Sequence, residues 1–246
     1  MVGLAGLGLT PAARAEFVTL SASRHNTLVQ DTSGALGAGG KQTFFAGVTN
    51  QAAGTNRRRG LVAFDIAGAI PAGATITSVS LTLTVDRAGN GSTSTFELHR
   101  VLSEWGRGTS SAGNQGGGGG AATSGDATWT SRFFGSGTNW LNPGGDFAAA
   151  ISASRSVGGV GTYTWASTTT LVSDVQGWLD TPRNNFGWLL KNNEASARSV
   201  KRFSGEDWPD AAQRPALVVQ YTVPGPGMVA MAGVCGLVAL RRRRAG

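Results

Sequence analysis

The hydrophobic and polar residues of this chain alternate most regularly between Ile76 and Val85. Val79, Leu81 and Leu83 lie on one face of this segment, and Ser and Thr residues occupy the positions between them. A period of two is typical of a half-buried antiparallel β-strand whose apolar face is turned towards a core. The segment therefore predicts a long strand around which the other elements are arranged.

Shorter runs of apolar, β-branched and aromatic residues recur along the rest of the chain. Clusters of Gly, Pro, Asn, Asp and Ser separate them, and such clusters predict turns. In the first run, Phe17 and Val18 compete for the core face. Short strands separated by turns predict an all-β fold built as a two-sheet sandwich. The predicted strands are residues 16–22, 42–48, 60–66, 76–85, 94–102, 161–166, 187–191, 199–203 and 216–221.

One short helix and one long Gly-rich loop interrupt this strand pattern. Apolar residues recur at helical spacing from Thr170 to Leu179, and Pro182 follows them, which predicts the helix. Residues 103–145 read as a loop and include the unbroken glycine run 116–120. Because this loop also carries several tryptophans, we expect it to pack on the domain and to contain short strands, with only the glycine run mobile.

The composition agrees with a turn-rich β-protein. The 246 residues include 38 glycines, and only 14% are charged, whereas about 25% is usual. The formal net charge is +7, but residues 16–222 carry 16 Lys and Arg against 14 Asp and Glu, which leaves no electrostatic footprint for nucleic acid. Cys235 is the only cysteine, so no disulfide and no Cys-based metal site are expected in the domain.

Both ends of the chain predict export. Residues 1–15 contain an apolar run that ends at Ala13-Arg14-Ala15, and such A-x-A sequences are cleavage sites of secretory signal peptides. A buried first strand is the alternative. Residues 223–246 comprise a Pro-Gly hinge, the thirteen small or apolar residues 228–240, and Arg241–Arg244. This apolar run is shorter than the ~20 residues that comfortably span a bilayer.

The C-terminal segment resembles the PEP-CTERM type of bacterial sorting signal, in a Val-Pro-Gly-Pro-Gly variant. The resemblance implies export, transient membrane association through the apolar tail, and recognition by a C-terminal sorting machinery. The arginines would hold the end in the cytoplasm during export. A plain tail anchor and a basic nucleic-acid-binding end are the alternatives. We therefore expect a secreted or cell-surface protein whose domain spans residues 16–222.

Between these ends lies a series of motifs in a fixed order. They are Arg57–Ile66, Leu98–Val101, Ala127–Trp129, Asp174–Leu179, Asn185–Leu190, Lys201–Glu206 and Arg214–Leu217. This series resembles the DNRLRE domain family, which is similar to carbohydrate-binding modules and to the disaggregatase-related domains of extracellular proteins. The resemblance covers residues 17–222 and implies a jelly-roll β-sandwich that is usually secreted.

The sequence departs from this family at one contact. The resemblance implies a polar contact between an early Asp and the Ser-x-Glu sequence, which is present here as Ser204-Gly205-Glu206. The early segment instead reads Ser23-Arg24-His25-Asn26-Thr27. A calcium or ligand site that requires the early carboxylate would therefore lack one of its residues.

No residue is assigned a catalytic role. His25 and His99 are the only histidines and lie far apart in the sequence, and the chain has neither a nucleophile elbow nor a phosphate-binding loop. Glu206 and Asp207 are adjacent on a chain read as extended, so their side chains point apart and make a poor pair for glycoside hydrolysis. We expect a protein that is not an enzyme, with a polysaccharide lyase or hydrolase as the less favoured alternative.

Calcium is the one cofactor that the sequence suggests. Ca²⁺ binds several carboxylate and carbonyl oxygens, and Asp126, Asp146 and Glu206 lie in or beside Gly-containing loops. These three are candidate ligands of a structural calcium ion. Turn chemistry, in which Asp accepts hydrogen bonds from nearby backbone amides, is the preferred alternative.

A sugar site needs a solvent-facing aromatic plate with polar groups at its edge. Trp208 lies in a polar loop beside Asp207 and is the best candidate, and Trp140 of the long loop comes second. Trp178 and Trp188 fall on apolar faces and are predicted core residues. Loop packing is an equally good interpretation of Trp208, because tryptophan is usually largely buried.

Arg57–Arg59 form a basic cluster at the start of a predicted strand. Arg58 is a candidate contact for an acidic polysaccharide, although a structural pairing of Arg58 or Arg59 with Glu206 is the preferred interpretation. The sequence thus supports an exported, non-catalytic module that binds extracellular polysaccharide. A purely structural protein of the surface or matrix is the alternative.

Overall fold

The computed structural model describes residues 14–40, 42–89, 91–111 and 117–224. Most of the predicted signal peptide, nearly all of the predicted sorting tail and the first residue of the glycine run lie outside the described residues, so these expectations stay predictions. Within the described part of the chain, no helix is both long and apolar enough to cross a membrane.

The described residues form β-strands and one α-helix. Two 3₁₀ turns, Pro182–Asn184 and Ala211–Gln213, follow the helix and precede the last strand. In chain order the elements are β1 (Arg14–Ser21), β2 (Arg24–Val29), β3 (Leu36–Gly37), β4 (Thr43–Val48), β5 (Arg57–Ala63), β6 (Thr75–Ala88), β7 (Ser94–Arg100), β8 (Gly120–Ala121), β9 (Ser131–Phe133), β10 (Thr138–Asn139), β11 (Ala153–Val157), β12 (Gly161–Trp165), α1 (Thr169–Asp180), β13 (Trp188–Asn192), β14 (Lys201–Ser204) and β15 (Ala216–Val223).

A curled antiparallel sheet forms the centre of the fold. Its two halves, the first and the second sheet, have four central strands each and are joined where β4 pairs with β5 at Gly47 and Val48. Their strand orders are β4-β14-β6-β12 in the first sheet and β5-β13-β7-β11 in the second. From β4 onwards the chain alternates between the two sheets, except that it stays in the second sheet from β7 to β11 and in the first from β14 to β15. This connectivity is that of a jelly roll, so the predicted all-β jelly-roll sandwich with one short helix is confirmed.

Three further strands extend the two sheets. β15 pairs with β6 and carries β1 beyond it, and β2 pairs with β5 on the side opposite β13. In β1, Val18 packs against the core while Phe17 is 74% exposed. Val18, and not Phe17, therefore occupies the core face. The strands β2, β3 and β11 have no counterpart among the predicted segments.

The main hydrophobic core lies between the two sheets. The alternating residues of β6 point into it, and β14 contributes Phe203 while β13 contributes Trp188. The helix α1 adds its apolar face, which includes Trp178, so Trp178 and Trp188 are the core residues that their positions predict. The helix begins after Thr168, whose side chain accepts a hydrogen bond from the Leu171 amide, as an N-cap residue does.

The long loop between β7 and β11 covers the outer face of the second sheet. Its Trp105, Trp129 and Trp140 pack on the outward-facing Leu61 and Leu189 of β5 and β13, forming a second hydrophobic cluster with Leu28, Ala63, Val101 and Ala127. The short strands β8, β9 and β10 lie within this loop. The expectation that the loop packs through its aromatic residues is therefore confirmed.

Candidate ligand-binding site

Three of the candidate residues, Glu206, Asp207 and Trp208, lie together in the loop of residues 205–210 that follows β14. The loop is held by its own hydrogen bonds. The Trp208 amide donates to the Gly205 carbonyl at 3.2 Å, and the Trp208 carbonyl accepts from Arg214 Nε at 2.7 Å. These bonds fix the backbone on both sides of the tryptophan, so its position is set by the fold.

Arg107 joins both carboxylates of this loop. Its Nη2 atom lies 3.0 Å from Glu206 Oε1 and also donates to Asp207 Oδ2, and its Nε donates to the Gly39 carbonyl at 3.2 Å. Arg107 comes from the long loop that covers the second sheet. A guanidinium that donates to two oxygens and forms an ion pair with a third is restricted in orientation.

His25 contacts the loop from the protein interior. It lies on β2, is fully buried, and contacts Glu206 Oε2 through Nδ1. The ring of Phe44 lies 5.6 Å away between ring centroids, and a Cβ added at Gly205 would stand 2.2 Å from the His25 ring. Gly205 is therefore the residue that allows the loop to approach the imidazole. Within the described residues, His25 Nε2 has no hydrogen-bond partner.

Trp208 is neither buried nor fully exposed. Within the described residues its Nε1 has no hydrogen-bond acceptor, and its ring has no aromatic or cationic partner. Asp207 beside it is 53% exposed in its side chain, and Arg107 is 35% exposed. The arrangement is an accessible indole with a free donor, bordered by a carboxylate and a guanidinium.

Arg58 is not part of this site, and the expected pairing of Arg58 or Arg59 with Glu206 is wrong. Arg58 is 1% exposed and donates to the carbonyls of Gly117, Thr55 and Arg57 and to Gln51 Oε1. Burial lowers the pKa of its guanidinium to about 10, although the charge of Asp31 opposes this shift. Such a side chain has little surface to offer to a polysaccharide.

Arg59 instead pairs with Glu194. Its Nε and Nη2 donate to the two carboxylate oxygens at 2.7 and 2.9 Å, and its guanidinium lies over the rings of Trp129 and Phe147. Adjacent residues of a strand point to opposite faces, so the two arginines contact different parts of the long loop: Arg59 lies against Trp129 and Phe147, and Arg58 donates to the Gly117 carbonyl. The basic cluster therefore has structural roles.

Trp140 also lies away from the Trp208 loop. It is 5% exposed, belongs to the second hydrophobic cluster, and donates from Nε1 to the Thr128 carbonyl at 2.9 Å. Its ring leaves no open face on which a sugar could stack. We therefore do not retain Trp140 as a ligand contact.

The carboxylates considered for calcium are satisfied by nearby donors. Asp126 accepts from the Thr123 amide at 2.6 Å, and Asp146 accepts from the amides of Leu141 and Asn142 at 3.0 and 2.9 Å. Glu206 is engaged with His25 and Arg107. Among the described residues, no three His, Cys, Asp or Glu side chains form a group that could hold a metal ion. Asp126 and Asp146 accept backbone hydrogen bonds as expected for turn chemistry, and the calcium site stays a prediction.

Glu206 and Asp207, the two carboxylates of the Trp208 loop, both contact Arg107. The sequence could locate Asp207 and Trp208 in a polar loop, but it gave no sign of Arg107 and treated His25 only as an isolated histidine.

Comparisons with protein-family models and with curated proteins found no match for this chain. The resemblance to the DNRLRE domain family and to PEP-CTERM sorting signals therefore stays a prediction.

Proposed function

We propose that this protein is an exported, non-catalytic β-sandwich that binds polysaccharide at the cell surface or in the extracellular matrix. One observation carries the proposal: Trp208 keeps part of its indole and an unpaired Nε1 accessible beside Asp207 and Arg107. Domains of the DNRLRE family, which this chain resembles, are expected to act in the same setting.

The ring and its charged neighbours suit a sugar for a simple reason. A pyranose has an apolar face of C–H groups and a rim of hydroxyls, and an indole offers an apolar face and a polar N–H. Hydroxyls both donate and accept hydrogen bonds, so they can bond Asp207, which accepts, and Arg107, which donates. A single half-exposed tryptophan with two polar neighbours would hold one sugar unit of a longer chain.

The loop is also preorganised. The contact of Glu206 with the buried His25 and the three contacts of Arg107 fix the polar groups before a ligand arrives. Binding to a rigid site loses less conformational entropy than binding to a mobile one. A preorganised loop can therefore bind a sugar through few contacts.

The proposed location rests on the ends of the chain. An N-terminal signal peptide would direct export, and the C-terminal hinge, apolar segment and Arg241–Arg244 would be read by a sorting machinery after transient membrane association. Calcium has no assigned role in this proposal, and nucleic acid is not an expected partner.

Binding of the whole chain to neutral and acidic polysaccharides tests the proposal, measured by affinity electrophoresis and calorimetry with added Ca²⁺ or with a chelator. We expect Trp208→Ala to weaken binding by about 10-fold or more, as for a tryptophan hot spot. Phe17→Ala is the control, because Phe17 is an aromatic residue that is 74% exposed and lies on β1.

Three results would contradict the proposal. Folded protein that binds no polysaccharide would favour the purely structural surface protein. Equal binding by wild type and Trp208→Ala would place the site elsewhere. Release of new sugar ends or of unsaturated products during incubation would revive the lyase or hydrolase alternative.

A further inference from the structure

A polar cleft of about 360 Å³ lies along one side of α1. Its lining comes from the end of β7, from α1 and from the 3₁₀ turn that follows, and it includes no residue of the Trp208 loop. The volume is near the lower end of the ~300–1,000 Å³ typical of small-molecule sites. It is suited to one compact ligand and not to a long segment of chain.

A buried carboxylate and an arginine form the inner part of this cleft. Asp174 is 7% exposed and accepts hydrogen bonds from Ser152 Oγ at 2.5 Å and from Trp188 Nε1 at 2.9 Å. Its other oxygen lies 3.1 Å from Arg100 Nε. Asp174 is therefore fixed in the core, and it fixes Arg100 in turn.

Arg100 presents its free donors to the cleft. Only its Nε is engaged among the described residues, and its side chain is 41% exposed. The two remaining nitrogens carry four N–H donors in a planar arrangement. Since Asp174 neutralises the charge, the arginine is a set of oriented hydrogen-bond donors and not an unbalanced cation.

The outer part of the cleft adds groups that both donate and accept. Ser173, Thr181 and Asn184 line it, and no described residue bonds to their side chains. Hydroxyl and amide groups of this kind match a ligand rich in hydroxyls. With one arginine balanced by one aspartate, the lining favours a neutral ligand over an anion or a cation.

Gly177 keeps the cleft open. It lies inside α1, where glycine is less stable than alanine, and a Cβ added there would meet no atom within 4 Å. Neither close packing nor a positive φ requires glycine at this position. The effect of the missing side chain is to leave space in the cleft.

Trp178 forms an apolar part of the wall. It is 1% exposed and lies against Trp188, with 4.5 Å between the ring centroids. Its Nε1 has no acceptor among the described residues. Trp178 therefore adds an apolar border to a lining that otherwise consists of hydroxyl, amide, carboxylate and guanidinium groups.

We infer that the cleft between Arg100 and α1 is a second carbohydrate site, which takes a single neutral hexose unit. The inference goes beyond the Trp208 loop and does not depend on it, since the two sites share no residue. A cleft of this size receives a monosaccharide or the end of a chain, whereas a partly exposed tryptophan contacts the middle of one.

Calorimetry or NMR titration of the whole chain with glucose, galactose, mannose and N-acetylglucosamine tests this site. Gly177→Leu fills the cleft with a residue that favours helix, so we expect affinity for the bound hexose to fall by about 10-fold or more without a lower melting temperature. Thr169→Leu is the matched control, because Thr169 is exposed on the same helix and does not line the cleft.

Two other variants separate the possible outcomes. Arg100→Lys keeps the charge but loses the planar donors, so we expect it to weaken hexose binding several-fold. Trp208→Ala should leave hexose binding unchanged even if polysaccharide binding is lost. The inference is overturned if no neutral hexose binds saturably, if Gly177→Leu binds as wild type does, or if glucuronate binds more tightly than every neutral sugar.

Discussion

The imidazole of His25 contacts the carboxylate of Glu206 across a sequence separation of 181 residues. His25 lies on β2 at the edge of the second sheet, and Glu206 follows β14 of the first sheet. The contact therefore ties the two sheets together at one side of the sandwich. It also determines where the loop that carries Trp208 lies.

Substitution of Glu206 tests how much the contact between His25 and Glu206 stabilises the fold. We expect Glu206→Gln to lower the free energy of unfolding by about 1–3 kcal/mol, because it weakens a contact to a buried imidazole and to Arg107. Asp207→Asn is the matched control, since Asp207 also contacts Arg107 but is 53% exposed. Its effect should be about 1 kcal/mol or less.

Urea unfolding of the two variants at neutral pH, followed by tryptophan fluorescence, is the measurement. The Glu206 side chain is 9% exposed and contacts His25, whereas the Asp207 side chain is 53% exposed and contacts only Arg107 among the described residues. Equal small changes in both variants would therefore show that the His25 contact adds no stability, and that the loop is held by its backbone hydrogen bonds alone.

Glu194 predicts a stability that depends on pH. Burial raises the pKa of its carboxyl, but hydrogen bonds from Arg59 and the charges of Arg59, Lys191 and Arg57 outweigh burial, so the pKa lies below its usual 4.5. A carboxyl with a lowered pKa in the folded state stabilises the fold above the unfolded-state pKa. That stabilisation is lost as the pH falls through the folded-state pKa.

Glu194→Gln should accordingly destabilise the protein at neutral pH by about 1–3 kcal/mol. The difference from wild type should shrink below about pH 4.5, because Glu194 is then protonated in the unfolded chain and, at lower pH, in the folded protein as well. Urea unfolding from neutral pH to about pH 3 measures it. Glu16→Gln is the control, because among the described residues Glu16 forms an ion pair only with the exposed Arg14. A difference that stays constant with pH would contradict the assignment.

The main strands and the helix follow from local patterns in the sequence. In β6, apolar residues alternate with Ser and Thr because one face meets the core, and in α1 the apolar residues recur with the helical period. Both signals lie within one segment. The sequence therefore placed these elements to within a few residues.

The strand β2 could not be recognised in the same way. Its residues His25, Asn26 and Thr27 are fully buried although they are polar. Asn26 donates to the Arg107 carbonyl at 2.7 Å, and Thr27 Oγ1 accepts from the Phe45 amide at 3.0 Å. Because these partners come from other parts of the chain, the segment has no period of two in hydrophobicity.

The same reason limits what the sequence says of the site. The loop composition around Trp208 predicts an exposed polar segment, and Asp207 and Trp208 lie in one. Arg107 is 100 residues away from Asp207 and reaches it only because the long loop folds back over the sheet. A pairing of Arg58 or Arg59 with Glu206 was plausible by charge alone, but the strand places both arginines elsewhere.

Trp140 and Trp208 should differ sharply in their contribution to stability. Trp140 is 5% exposed and packs with Trp105 and Trp129 on the outer face of β5 and β13. Its replacement by alanine removes a large buried side chain and leaves the Thr128 carbonyl without its donor, so we expect a loss of about 3–5 kcal/mol. Trp208→Ala should lose about 1 kcal/mol or less, since Trp208 has no ring or side-chain hydrogen-bond partner among the described residues.

Denaturant midpoints and slopes of both variants measure this difference. A large loss for Trp140→Ala with an unchanged slope would show that the long loop unfolds together with the sandwich, since the slope reports the surface exposed on unfolding. A small loss would instead show that the loop opens independently of the sheets. A loss for Trp208→Ala as large as that for Trp140→Ala would make Trp208 a packing residue and would remove the main support for a sugar site in its loop.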